Sequence, residues 1–174
     1  MFKYPQQKGR EGKSSRKFNR PPHNMAWCWL TSELINSLAW QSMSVNCRKL
    51  IDRLLLEHCN HAGLENGGLI CTYNHFQEYG LTRNKIRPAI EEADFLGLVK
   101  NQQGERIFAR NHPNSYRLTF YGTKDAKDPT NEWKRITKER IDSFRSKKRE
   151  REKKKKEFKI KQRSTKLRLR WYLL

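Results

Sequence analysis

The stretch TYNHFQEYGLTRNKIRPAIEEADFLGLVK, residues 72–100, constrains the fold more than any other part of the chain. Thr72 can cap a short helix, and Gly80 can end that helix because glycine adopts left-handed backbone without a steric penalty. We expect Leu81 to turn inward and Thr82 to cap a second helix. One face of the first helix is aromatic: Tyr73, Phe76 and Tyr79. The pattern predicts two short helices held at a fixed angle.

The second predicted helix, at about 82–96, has one apolar face and one polar face. At 100° per residue the apolar residues occupy about a third of the helical circle, so that face is predicted to meet the core. They are Ile86, Ala89, Ile90, Ala93 and Leu96. Four residues lie opposite: Asn84, Arg87, Pro88 and Glu91. Arg83 and Lys85 flank this outward face near the amino-terminal end, where basic side chains and the helix dipole both favour phosphate.

Pro88 departs from a regular helix because it lies about six residues past the Thr82 cap, beyond the first turn where proline is harmless. Two alternatives remain open. The helix is kinked at Pro88, or its first turn is irregular and regular helix begins near Arg87.

The segment before this motif predicts the rest of a small core. Trp27 and Trp29 begin the globular part and are interpreted as core anchors. Ser32 is predicted to cap a helix whose apolar residues recur at helical spacing: Leu34, Ile35 and Leu38. Ser44 is predicted to cap the longest helix of the domain, with this apolar stripe: Cys47, Leu50, Ile51, Leu54, Leu55 and His58. GGLICTY, residues 67–73, is typical of one buried strand.

After Gly97 the sequence predicts a hairpin. Residues 98–103 (LVKNQQ) and 116–121 (YRLTFY) are candidate strands, joined by a loop at 104–115. Two antiparallel strands with a basic loop can contact a nucleic-acid backbone or minor groove. The residues available for this are Lys100, Arg106, Arg110 and Arg117. A plain hairpin with a solvated tip is the alternative.

The order helix, helix, strand, helix-turn-helix, FLGLVK, hairpin resembles the winged-helix family of bacterial DNA-binding proteins. It is similar to uncharacterised bacterial helix-turn-helix proteins and to the N-terminal domains of plasmid or phage replication initiators. The resemblance covers residues 27–121. It implies an α+β fold, a winged helix-turn-helix of three to four helices plus a small antiparallel hairpin, with disordered or helical basic termini.

Basic charge is concentrated at the two ends of the chain, whose net charge is +20. Residues 1–20 hold seven basic residues and one acidic residue, residues 21–120 hold ten and nine, and residues 121–174 hold twenty-one and eight. Such an excess repels itself unless a polyanion neutralises it, which favours nucleic acid as the partner. We therefore predict a disordered arm at 1–24, a winged-helix domain at 25–122 and a partly helical basic tail at 123–174.

From about residue 147 the tail carries charge on nearly every face. It is predicted to be either an extended helix with Glu–Lys pairs or disordered, and in both cases it would give salt-sensitive, sequence-blind affinity for phosphate. Trp133 is a candidate for docking back on the core.

The residue patterns of metal sites, catalysis and membrane spans are weak or missing. Cys59, His61, Cys71 and His75 have residue types that bind zinc, but the spacing of residues 59 and 61 argues against it. No phosphate loop, HExxH or GxSxG occurs, so we expect no enzyme activity, cofactor or metal. Unpaired cysteines, no apolar run of roughly 18 residues and no secretory signal predict a cytoplasmic, nucleoid-associated protein without a membrane partner.

The predicted function is binding of double-stranded DNA, as a transcriptional regulator or replication-associated protein, with possible replication or transcription proteins as further partners. The predicted DNA-binding residues are Thr82, Arg83, Asn84, Lys85, Arg87, Lys100, Arg106 and Arg110. Two alternatives remain: a winged-helix module that binds proteins of the replication machinery, and an RNA-binding protein driven by its tails. The oligomeric state stays open.

Overall fold

The computed structural model describes residues 26–104, 106–107, 110–111 and 113–171, with the side chains of 105–112 and of 163 onward excluded. The predicted disordered arm, residues 1–24, lies outside the described residues. The helices are α1 (Ser32–Ile35), α2 (Leu38–Gln41), α3 (Val45–Asn60), α4 (Tyr73–Glu78), α5 (Arg83–Phe95) and α6 (Lys138–Trp171), with a 3-10 helix at Glu132–Arg135. The strands are β1 (Leu69–Ile70), β2 (Val99–Gln102), β3 (Arg106–Ile107), β4 (Arg110–Asn111) and β5 (Ser115–Leu118). The predicted α+β class is confirmed.

The first helical segment differs from its prediction. Thr31, not Ser32, is the N-cap of α1, and Ser37 caps the separate helix α2. The second cap restarts the helical phase, so Ile35 and Leu38 are exposed while Trp40 is buried.

The prediction that Trp27 and Trp29 are core anchors is wrong. They are 61% and 45% exposed, because they precede α1 in a segment without regular secondary structure rather than on a core-facing helix. Trp29 packs edge-on against Tyr121, with ring centroids 4.6 Å apart.

Helix α3 follows its prediction closely. The Ser44 hydroxyl accepts a hydrogen bond from the Cys47 N–H at 3.3 Å, as an N-cap does. The whole predicted stripe is buried: Cys47, Leu50, Ile51, Leu54, Leu55 and His58. Desolvation by burial lowers the pKa of His58.

The predicted strand at 67–73 shortens to β1, Leu69–Ile70, of which only Leu69 is buried. Gly67 has φ +98°, and Thr72 already caps α4 through a reciprocal capping box with His75. The extended segment therefore has room for two paired residues. Phe76 is buried as predicted, but Tyr79 is exposed because it follows the last helical residue.

One buried amide, which no sequence pattern predicts, fixes the end of the sheet. Asn66 is fully buried, and its amide nitrogen lies 2.9–3.1 Å from the carbonyl oxygens of Leu118, Tyr121 and Gly122, which share its two N–H groups. Its Oδ1 accepts from the Leu118 N–H at 2.8 Å. These bonds satisfy backbone groups that the sheet leaves unpaired where β5 stops.

The predicted hairpin is present, with a longer ladder at its tip than expected. Strand β5 lies between β1 and β2, antiparallel to both, with Val99 opposite Leu118 and Leu69 opposite Tyr116. The predicted loop at 104–115 contains β3 and β4, with Ile107 opposite Arg110. This pair keeps the register of β2 and β5, so the hairpin continues in phase. The predicted second strand is too long, because a turn begins at residue 119.

The packed body extends past the predicted domain end at residue 122. Trp133, Ile136 and Ile141 are buried in the same hydrophobic cluster as the helices and sheet. Gly97 makes this packing possible: a Cβ built there would lie 2.8 Å from the Glu132 carbonyl carbon and the Trp133 nitrogen. The docking of Trp133 on the core is confirmed.

Gly97→Ala should therefore lower the free energy of unfolding by about 2–5 kcal/mol. Left-handed backbone, φ +66° here, costs an L-residue about 1–2 kcal/mol, and the clash with the Glu132–Trp133 backbone adds about 1–3 kcal/mol. Gly63→Ala is the matched control, since Gly63 has φ +76° but its added Cβ would meet only the His58 ring at 3.6 Å. Urea denaturation of both variants measures the difference, and equal losses would contradict the predicted role of the close approach.

Candidate functional site

Helix α5 buries one face and exposes the amino-terminal half of the other. The predicted core residues are all buried: Ile86, Ala89, Ile90, Ala93 and Leu96. Arg83, Asn84, Lys85 and Arg87 are exposed, with 80% of the Arg87 side chain open to solvent. Thr82 is the N-cap residue, but its side chain accepts no capping hydrogen bond. The four polar residues are thus presented on a rigid helix whose other side is fixed by the core.

Pro88 lies inside α5, and the helix is continuous from Arg83 to Phe95. The alternative that regular helix begins near Arg87 is therefore wrong. Proline has no N–H, so the Asn84 carbonyl lacks the helical donor that residue i+4 would supply.

Glu92 is the residue of α5 whose environment differs most from expectation. A glutamate is rarely buried unless its charge is paired, yet Glu92 is only 6% exposed. Its carboxylate accepts hydrogen bonds from the Ser44 N–H at 2.7 Å and the Ser44 hydroxyl at 3.0 Å. In a capping box, the side chain of the third helical residue accepts the hydrogen bond from the N-cap N–H, but in α3 that residue is Cys47. Glu92 supplies it from another helix instead.

The Glu92 carboxylate also binds helix α6. Lys148 donates to it at 2.9 Å, which neutralises the buried charge. One helical turn away, the rings of Phe95 and Phe144 stack with centroids 4.1 Å apart and planes 9° apart. The Arg145 guanidinium donates to the Ser42 carbonyl at 3.1 Å. Because 95 meets 144 and 92 meets 148, α6 runs antiparallel to α5.

Toward the amino-terminal end of α5, this helix and α6 enclose a cleft of about 580 Å³, here called the α6-side cleft. Its cationic lining residues are Arg83, Arg87, Lys147, Lys148, Arg151 and Lys155. Two carboxylates also line it, those of Glu91 and Glu152. Glu91 is paired with Arg87 at 3.0 Å, and Lys148 with Glu92. A surplus of positive charge remains between two helices.

On the other side of α5 a second cleft of about 820 Å³, the hairpin-side cleft, lies against β2 and β5. Uncharged polar and aromatic groups dominate its lining, among them Tyr73, Asn101, Gln103 and Asn114. Tyr116 forms its floor, and burial raises the pKa of this phenol to about 12. Arg87 and Glu91 line both clefts, so they form a ridge between them.

The predicted hairpin residues are placed less favourably for binding an anion. Lys100 forms ion pairs with Glu132 at 2.8 Å and with Asp94 at 3.5 Å. The hydrogen bond to Glu132, with the nearby charge of Asp94, raises the pKa of Lys100. Arg117 also pairs with Glu132, at 3.4 Å. Lys100 therefore has two competing carboxylates, and its contact with DNA stays a prediction.

The structure brings only part of the predicted set together. Arg83, Asn84 and Arg87 line the α6-side cleft, whereas Thr82 and Lys85 are exposed outside both clefts. Strands β3 and β4 place Arg106 and Arg110 at the hairpin tip, although the structure does not describe their side chains. Lys147, Arg151 and Lys155 were predicted only as sequence-blind tail charge. Phe95 is the signal that could have indicated a partner helix on this side of α5. It is an aromatic residue about 180° from Ile86, and thus on the face assigned to solvent, where a large apolar side chain needs a packing partner.

Other chemistry has little support in the described residues. Within the described ranges no three His, Cys, Asp or Glu residues are grouped so as to hold a metal ion. In the same part of the chain, no helix combines the length and the apolar composition needed to cross a membrane. Comparison with protein-family models, curated proteins and solved structures found no match for this chain.

Glu92→Ala should lower the free energy of unfolding by about 2–4 kcal/mol, since it leaves the Ser44 N–H and the Lys148 ammonium without their buried partner. Glu91→Ala is the neighbouring control. Its pair with Arg87 is exposed, and its loss should cost no more than about 0.5 kcal/mol. Urea denaturation gives both values, and amide hydrogen exchange in α6 should rise only for Glu92→Ala. Unchanged exchange in α6 would show that this carboxylate does not hold the helix.

Proposed function

We propose that the protein binds double-stranded DNA as a winged helix-turn-helix protein, in transcriptional regulation or replication. In this proposal α4 and α5 are the helix-turn-helix, α5 is the recognition helix, and the hairpin β2–β5 is the wing. The observation that carries it is the Arg87–Glu91 ridge, which projects between two clefts and exposes Arg83, Asn84 and Arg87 at the amino-terminal half of α5.

The dimensions of B-DNA fit this arrangement. Its major groove is about 12 Å wide and admits one helix, with a phosphate backbone on each side. A recognition helix usually reaches base edges with its amino-terminal residues. Arg87 can pair with guanine and Asn84 with adenine, while Arg83 and the helix dipole favour phosphate.

The carboxyl-terminal half of α5 limits how much of the helix can approach the duplex. Glu91 and Asp94 are exposed there, and their carboxylates would be repelled by phosphate. Glu92 is buried against Lys148 and does not add to this repulsion. The first two turns of α5, from Arg83 to Ile90, are therefore the part that enters the groove.

Arg87→Ala should weaken a preferred duplex by about 1–3 kcal/mol and a scrambled duplex of equal length by less, because a base contact is lost only on the preferred site. The preferred site is first selected from random duplexes with the full chain, since Trp133, Ile136 and Ile141 belong to the core. Dissociation constants for both duplexes, measured over a range of salt concentrations, provide the test. For the unmodified protein the affinity should fall linearly with salt on logarithmic axes.

Lys124→Ala is the charge-matched control for that experiment. Lys124 is exposed on the turn after β5 and lines neither cleft, so its loss should affect both duplexes equally and weakly. Equal losses on the two duplexes for Arg87→Ala would remove Arg87 from base reading. Absence of duplex binding at low salt, or tighter binding to structured RNA of the same length, would contradict the proposed function itself.

A further inference from the structure

Helix α6 carries basic residues to one wall of the α6-side cleft, opposite the exposed half of α5. We infer, on the basis of the function proposed above, that this cleft binds the sugar-phosphate backbone of one DNA strand, with α6 as a fixed second wall. In this arrangement α6 determines which phosphates are contacted, whereas a flexible tail would bind any phosphate nearby.

The position of α6 beside α5 is fixed by contacts within the protein, without any bound ligand. Ile141 is buried in the core, and Phe144 stacks on Phe95. Arg145 and Lys148 bind the Ser42 carbonyl and Glu92, next to the start of α3. The helix continues without interruption to Trp171. Residues one and two turns past Lys148 are therefore carried along the same line as the anchored part.

One face of α6 turns toward α5 through this region. The lining residues of α6 recur once per helical turn, singly or as adjacent pairs: Phe144, Lys147, Lys148, Arg151, Glu152 and Lys155. At 100° per residue Arg149 and Lys153 point about 140–180° away from Phe144. The helix thus has a cationic face in the cleft and a cationic face toward solvent. Removing the same charges from one face or the other separates the effect of where a cation lies from the effect of total charge.

The cleft cations that have no carboxylate partner among the described side chains are divided between its two walls. Within the described side chains, no carboxylate lies within ion-pair distance of Arg83 on α5, or of Lys147, Arg151 or Lys155 on α6. Like charges facing each other across a cleft repel, and an anion between them relieves that repulsion. A phosphodiester backbone supplies negative charge at a regular spacing along the cleft.

The size of the major groove indicates where that backbone must pass. The groove admits one helix, and packed helices lie 8–10 Å apart, so α5 and α6 cannot enter the same groove side by side. With the first two turns of α5 in the groove, the strand that bounds the groove on this side lies along the mouth of the α6-side cleft, between Arg83 and Arg87 of α5 and the basic residues of α6. The cleft is open at this place.

The test compares two double variants of the full chain with equal composition and spacing. Arg151→Ala with Lys155→Ala removes one arginine and one lysine, four residues apart, from the cleft. Arg149→Ala with Lys153→Ala removes the same pair from the solvent face. Affinity for one selected duplex is measured from 0.1 to 0.5 M salt, and circular dichroism and thermal unfolding check that both variants stay folded. Ethylation interference then identifies the phosphates each protein contacts.

For the cleft variant we expect the salt slope to fall by about two and the affinity at 0.1 M salt to fall roughly 10- to 60-fold, since two phosphate contacts are lost. The phosphates whose ethylation no longer interferes with binding of the cleft variant should be consecutive on one strand. The solvent-face variant should keep the slope and the interference pattern. Equal losses in both variants would overturn the inference while leaving the proposed function intact, and a lack of duplex binding by the unmodified chain would overturn both.

Discussion

The position of α6, and with it the form of the candidate site, depends on one buried carboxylate. Glu92 binds the backbone and hydroxyl of Ser44 at the start of α3, and it neutralises Lys148 of α6. Three helices that are far apart in sequence thus share a single pair of oxygens. An unpaired carboxylate at this depth would be strongly unfavourable, so the helices have to meet at Glu92 together.

A second constraint brings the chain to that meeting point. Gly97 leaves no room for a side chain, which lets the Glu132–Trp133 backbone cross directly over the turn after α5. Trp133 is then buried, and α6 begins a few residues later beside Phe95. The segment that composition assigns to a tail is therefore directed along α5 by backbone packing before any of its charges are involved.

Local patterns in the sequence predict the helices but not how the C-terminal segment packs on them. The caps at Ser44 and Thr72, the turn at Gly80 and the apolar stripes of α3 and α5 follow from local periodicity, and they are confirmed. The packing of Trp29 on Tyr121, the burial of Glu92 and the amide network of Asn66 depend on partners more than 45 residues away. Periodicity within a window of a dozen residues holds no information about such partners.

The electrostatics of the α6-side cleft set it apart from ordinary packing. Arg83 and Arg87 on one helix face Lys147, Arg151 and Lys155 on the other, and this proximity opposes the docking of α6. The stacked phenylalanines and the Glu92–Lys148 pair offset that repulsion at the neighbouring turn. Arrangements that oppose stability locally are expected at functional sites. The repulsion between these cations is thus a local cost that packing at the neighbouring turn offsets, and it marks the cleft as the part of the surface most favourable to an anion.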